Sequence, residues 1–165
     1  MQVDVSDAIK KRARWSHDLF VLNILFFHLL LTPATIVLGI GELGLLVPLG
    51  LSGMVIGYIF YRGRTDPEWF VAAHWRLSFS RCKLLMWGYL GSAVIFFIGW
   101  LISLNAQGDM QHIMLVVFTR IAIMPTLIMA MVTVVLEASA TGAVSKGEVP
   151  DSIAKDFPYP DAVEG

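Results

Sequence analysis

The chain has 165 residues, 56% of them hydrophobic and 15% charged, with a net charge of -1 and a mean hydropathy of +0.70. A soluble domain carries about 25% charged residues, so the composition is that of a membrane protein. A single cysteine, Cys82, excludes an intrachain disulfide and the thiol chemistry that works through cysteine pairs.

Charge is segregated along the chain. Every Lys and Arg except Arg120 falls in one of three blocks. These are Lys10, Lys11, Arg12 and Arg14; then Arg62, Arg64, Arg76, Arg81 and Lys83; then Lys146 and Lys155. Gaps around Glu42 and from Asn105 to Gln111 hold none. Basic residues collect on the cytoplasmic side of membrane spans. The pattern therefore predicts both termini and the central segment inside, in a multi-pass membrane protein. The basic residues lie beside spans, which accounts for them without nucleic acid.

In chain order, positions 1–18 read as a basic amphipathic segment on the cytoplasmic surface, with Ile9 and Ala13 on one side and Trp15 at the interface. No cleavable signal peptide is expected. The first apolar run begins near Leu19, exceeds the usual length and lacks a small-residue cleavage site. Positions 19–61 read as a first transmembrane hairpin, with spans of about Leu19–Gly39 and Leu43–Tyr61 joined by a tight turn at Ile40-Gly41-Glu42. Span one carries Asn23, His28 and Pro33; span two carries a stripe of Gly50, Gly53 and Gly57. Positions 62–83 read as a cytoplasmic interfacial helix. Asp66-Pro67-Glu68 supplies an N-cap, a proline suited to the first helical position and an acid against the helix dipole. Positions 84–139 read as a second hairpin, its spans about Leu84–Leu104 and Ile113–Leu136, with a turn at Gly108-Asp109. Positions 140–165 read as an acidic cytoplasmic tail, extended or disordered, at most docked on the cytoplasmic face. The fold class is thus all-α, with four transmembrane helices in two antiparallel hairpins and an interfacial helix between spans two and three.

The intramembrane polar candidates are Arg120, His28 and Glu137. Arg120 lies about two turns into span four, with Asp109, Glu42 and His112 as candidate partners. It either serves an ion path or a pairing role, or turns outward to the interface. His28 at mid-span is the one residue placed to ligate a b-type heme, and no second histidine lies at its depth on another span. Glu137 closes span four and is expected to pair with Arg76, Arg81 or Lys83. Candidates for cytoplasmic docking are Trp69, His74, Trp75, Arg76 and Arg81. Gly53 with Gly57, and Gly88 with Ser92, are small-residue pairs that allow close helix packing. No metal-ligand spacing, nucleophile elbow, phosphate loop or paired-acid motif occurs.

The segment His74-Trp75-Arg76, then Arg81 and the apolar run Leu84–Leu104, with Gly147-Glu148-Val149-Pro150 after the last span, resembles small bacterial inner-membrane proteins that carry a His-aromatic-Arg sequence before a span. That resemblance implies a small inner-membrane protein and no particular activity.

With no catalytic constellation and no soluble domain, the sequence points to a non-catalytic accessory or scaffold subunit of a larger inner-membrane complex, with no cofactor. Its partners are the lipid bilayer and other membrane subunits or copies of itself. A small oligomeric transporter or channel using Arg120, His28 and Glu137 is the alternative, and a heme-bearing redox subunit a second.

Overall fold

The computed structural model describes residues 1–38, 44 and 46–160. Among them the chain is helical, without a strand, and four helices are long and apolar enough to cross a membrane. The turn expected at Ile40-Gly41-Glu42 lies outside the described residues.

Helix α1 (Asp7–Asn23) runs on through a π-helical stretch, Ile24–Leu31, into α2 (Thr32–Val37). The basic segment and span one are therefore one continuous rod. The π stretch has a local cause. Pro33 has no N–H, and in an α-helix its ring would meet the carbonyl four residues back, on Leu29. Wider turns relieve that clash, and the Thr32 N–H reaches the Phe27 carbonyl five residues back.

Helix α3 (Leu46–Thr65) carries Pro48 in its first turn, where the missing N–H is harmless. It extends beyond Tyr61, so only Asp66, Pro67 and Glu68 separate it from α4 (Trp69–Ser103). Asp66 makes this corner. Its carboxylate accepts the Glu68 N–H at 3.2 Å, as a cap should, and also binds the Arg12 and Arg62 guanidiniums. The interfacial segment then runs into span three without a break.

Helix α5 (Asp109–Lys146) follows Gly108, whose φ is +57°, and continues well past Leu136. It ends on Gly147, at φ +72°. The Glu148 N–H bonds the Ala143 carbonyl and the Gly147 N–H bonds the Val144 carbonyl, a Schellman stop. A Cβ at Gly147 would also collide with the Val3 carbonyl, so glycine is required twice over.

The tail is folded. Val3 donates to the Gly147 carbonyl and Val149 to that of Met1, both at 2.8 Å, and a short helix α6 (Asp151–Asp156) follows. Beyond it, the Trp69 indole N–H donates to the Phe157 and Pro158 carbonyls at 3.2 and 2.9 Å, its ring meets Phe157 and Tyr159, and Arg76 lies 3.7 Å over the Phe157 ring. Of the outcomes the sequence leaves open for the tail, docking is the one seen among the described residues: Trp69 and Arg76 hold it in place.

The chain divides into two compact units, residues 1–80 with 136–165, and residues 81–135. In the second, α4 and α5 pack closely and antiparallel. Gly88 sits against Met129 and the Pro125 carbonyl, Gly91 against Pro125 and Gly99 against Phe118. The Ser92 and Thr126 hydroxyls hydrogen-bond at 2.7 Å. In the first unit, a Cβ added at Gly50, Gly53 or Gly57 of α3 would meet no atom of the described residues within 4 Å.

Candidate functional site

The buried face of α1, with the first residue of the π-helical stretch, comprises Ala13, Ser16, His17, Phe20, Asn23 and Ile24. The three- and four-residue spacing is that of a helix stripe turned to a core. Half of these residues are polar, and two of them, Ser16 and His17, meet side chains from other helices of the same unit.

His17 is the hub. Its Nδ1 lies 2.5 Å from Glu137 Oε2 on α5 and 3.0 Å from Ser78 Oγ on α4. Its Nε2 lies 3.0 Å from His74 Nδ1, also on α4. Ser78 Oγ reaches Ser16 Oγ at 3.4 Å, and the Ser16 hydroxyl donates to the Ala13 carbonyl at 2.8 Å. His74 is held edge-on to His17 and against Phe70. His17, His74, Ser78, Ser16 and Glu137 are all 0% exposed.

This geometry limits the chemistry. In a nucleophile–base–acid chain, serine and carboxylate occupy opposite nitrogens of the histidine. Here both face Nδ1, and the site is closed to any substrate. A metal between His17 and His74 would need about 2.0 Å to each nitrogen; the observed 3.0 Å separation fits a shared proton instead. Among the described residues, no group of three or more His, Cys, Asp or Glu side chains is arranged to hold a metal ion. What the cluster does is bond α1, α4 and α5 through a buried polar core. Such a network holds one arrangement firmly when its members are matched and is costly when one is lost.

The sequence candidates are distributed as follows. Glu137 bonds His17 within the first unit. His74 and Trp75 are buried, Trp69 nearly so, and Arg76 donates to the Gly63 carbonyl at 2.8 Å, so these four serve the chain's own packing. Arg81 belongs to the second unit. His28, on the π stretch, bonds Ser52 of α3 at 3.0 Å. Arg120 is exposed on α5 and makes no ion pair among the described residues; Asp109 and His112 are exposed as well, and Glu42 lies outside the described residues. His17, Ser16 and Ser78 were missed by sequence reasoning. The signal was the stripe at 13, 16, 17, 20 and 24, which continues across the boundary placed at residue 18.

Comparison with protein-family models, with curated proteins and with solved structures finds no match to this chain.

Proposed function

We propose that the chain is a non-catalytic accessory or scaffold subunit of a larger complex in the bacterial inner membrane, with both termini cytoplasmic. The observation that carries this reading is Arg120. It lies about 10 Å along the helix from Ile113, where the apolar run begins, at 1.5 Å per residue. Its side chain is exposed and has no ion-pair partner among the described residues. Charged residues at such depth almost always face a protein partner or a water-filled cavity. An acidic residue of a neighbouring subunit supplies the first.

The sealed His17 cluster supports the same reading, since it joins helices and admits no substrate. The basic blocks support the orientation, and the His74-Trp75-Arg76 segment the bacterial setting. The transporter reading has less support, because Glu137 sits in the closed cluster and His28 is taken up by Ser52.

The test is purification from native membranes in a mild detergent. The wild-type chain should elute with other subunits in fixed ratio. Arg120→Leu should lose them while its own melting temperature is unchanged. A homogeneous assembly of this chain alone that conducts ions in liposomes, with conductance lost in Arg120→Leu, overturns the proposal.

A further inference from the structure

A groove of about 990 Å³ opens in the first unit among α1, the end of α3, the start of α4 and the end of α5. This is at the upper end of the range for small-molecule sites. Lys10, Lys11, Arg12, Arg14 and Arg62 line it, against two carboxylates, Asp7 and Asp18. Arg14 pairs loosely with Asp18 at 3.6 Å, and Arg12 and Arg62 share the single carboxylate of Asp66. Even with Asp66 counted, positive charge is in excess, and Lys10 and Lys11 make no ion pair among the described residues.

The groove also holds donors without acceptors. Trp75 is 2% exposed and lines it, yet its indole N–H has no hydrogen-bond partner among the described residues. The same holds for Nε of Arg62. Buried donors are nearly always satisfied, so an orphan pair calls for an explanation. Acceptor oxygens brought by a ligand supply one.

The groove's position selects the ligand. It lies where the apolar run of α1 begins, near Leu19, and that of α3 ends, near Tyr61. Trp15 and Tyr58 stand on its walls, 49% and 46% exposed, at the level where Trp and Tyr mark the membrane–water interface. Beyond Leu19, α1 and the π-helical stretch that follows it present exposed Leu22, Leu25 and Phe26. An acyl chain can lie along that face while its headgroup occupies the groove.

We propose that this groove is a binding site for the phosphate headgroup of an anionic phospholipid. Lys10 and Lys11 supply the charge, Arg62 and Trp75 the hydrogen bonds, and Trp15 and Tyr58 the interfacial wall. The site stands whether or not the chain belongs to a larger complex.

The experiment is native mass spectrometry of the delipidated full-length protein in a neutral maltoside detergent, titrated with phosphatidylglycerol or phosphatidylcholine. A one-to-one adduct with phosphatidylglycerol is expected at concentrations where phosphatidylcholine gives none. Near a membrane surface each Lys–anion attraction is worth roughly 1 kcal/mol, so K10Q/K11Q should weaken that adduct about thirtyfold. K83Q/K155Q removes the same charge from residues that do not line the groove and should leave it unchanged. Equal weakening by both pairs overturns the site in favour of general surface attraction. No preference between the two lipids overturns it outright. Displacement of the lipid by inorganic phosphate at equal concentration overturns the lipid assignment and makes the groove a soluble-anion site.

Discussion

Consider replacing His17 by leucine. The substitution removes the partner of Glu137 at 2.5 Å, of His74 at 3.0 Å and of Ser78 at 3.0 Å, in a region with no access to water. Ser78 keeps a neighbour in Ser16, but Glu137 loses its histidine inside the protein. Removing one member of a buried pair costs about 3–5 kcal/mol, because the other stays buried with that favourable interaction lost. Glu137→Met should cost a similar amount for the same reason. Replacing both members with apolar residues of similar size removes the mismatch, and such exchanges are often close to neutral. The double variant His17→Leu/Glu137→Met should therefore be milder than the sum of the singles by at least about 2 kcal/mol. The measurement is reversible unfolding by sodium dodecyl sulfate in mixed micelles, followed by far-ultraviolet circular dichroism. If the two effects simply add, or if either single variant costs less than about 1 kcal/mol, the cluster is not a coupled buried network and the argument fails.

Trp69→Phe keeps the ring but deletes the N–H that holds the Phe157 and Pro158 carbonyls. A loss of about 1 kcal/mol should speed amide exchange at Phe157 about fivefold, read by hydrogen–deuterium exchange; an unchanged rate would mean that ring contacts alone hold the tail. At Gly88 a Cβ would sit 2.9 Å from that of Met129 and 3.1 Å from the Pro125 carbonyl. Gly88→Leu should cost about 1–3 kcal/mol, whereas Gly53→Ala, with nothing within 4 Å, should melt like the wild type. Equal melting temperatures for the Gly88 and Gly53 variants would contradict the packing of α4 on α5.

The four apolar runs were legible because continuous hydrophobicity is written residue by residue, and the local signal Asp66-Pro67-Glu68 placed the α4 start to within two residues, the helix beginning at Trp69 rather than Pro67. The His17 cluster was not. It joins positions 17, 74, 78 and 137, and nothing in a single sequence pairs residues so far apart. The eye also stopped at residue 18, where polar composition gives way to apolar, although the helix and its buried stripe ignore that change. The docked tail was hidden for a related reason. Glycines and prolines at 147, 150, 158 and 160 read as disorder, while the anchor, an indole N–H at Trp69, lies more than eighty residues away. Trp75 and Phe79 of α4 have ring partners in Tyr58 and Phe60, both on α3 and again distant in sequence.

The π-helical stretch before Pro33 bears on how span one tolerates change. Each such turn holds one residue more than an α-helical turn would use for the same contact. A chain shortened by one residue between Ile24 and Leu31 can therefore rewind as ordinary α-helix without breaking. The surplus residue acts as slack, because the rewound turn spans nearly the rotation that the wider one did. The α-helical part of the rod has no such slack, and a deletion there would turn everything on one side by about 100° relative to the other. The hydrogen bond from His28 to Ser52 and the buried stripe of α1 would then no longer both find their partners. Span one is thus forgiving in its π stretch and exacting before it. Single-residue deletions within the stretch, His28 excepted, should yield chains that still pair with α3, whereas deletions between His17 and Asn23 should not.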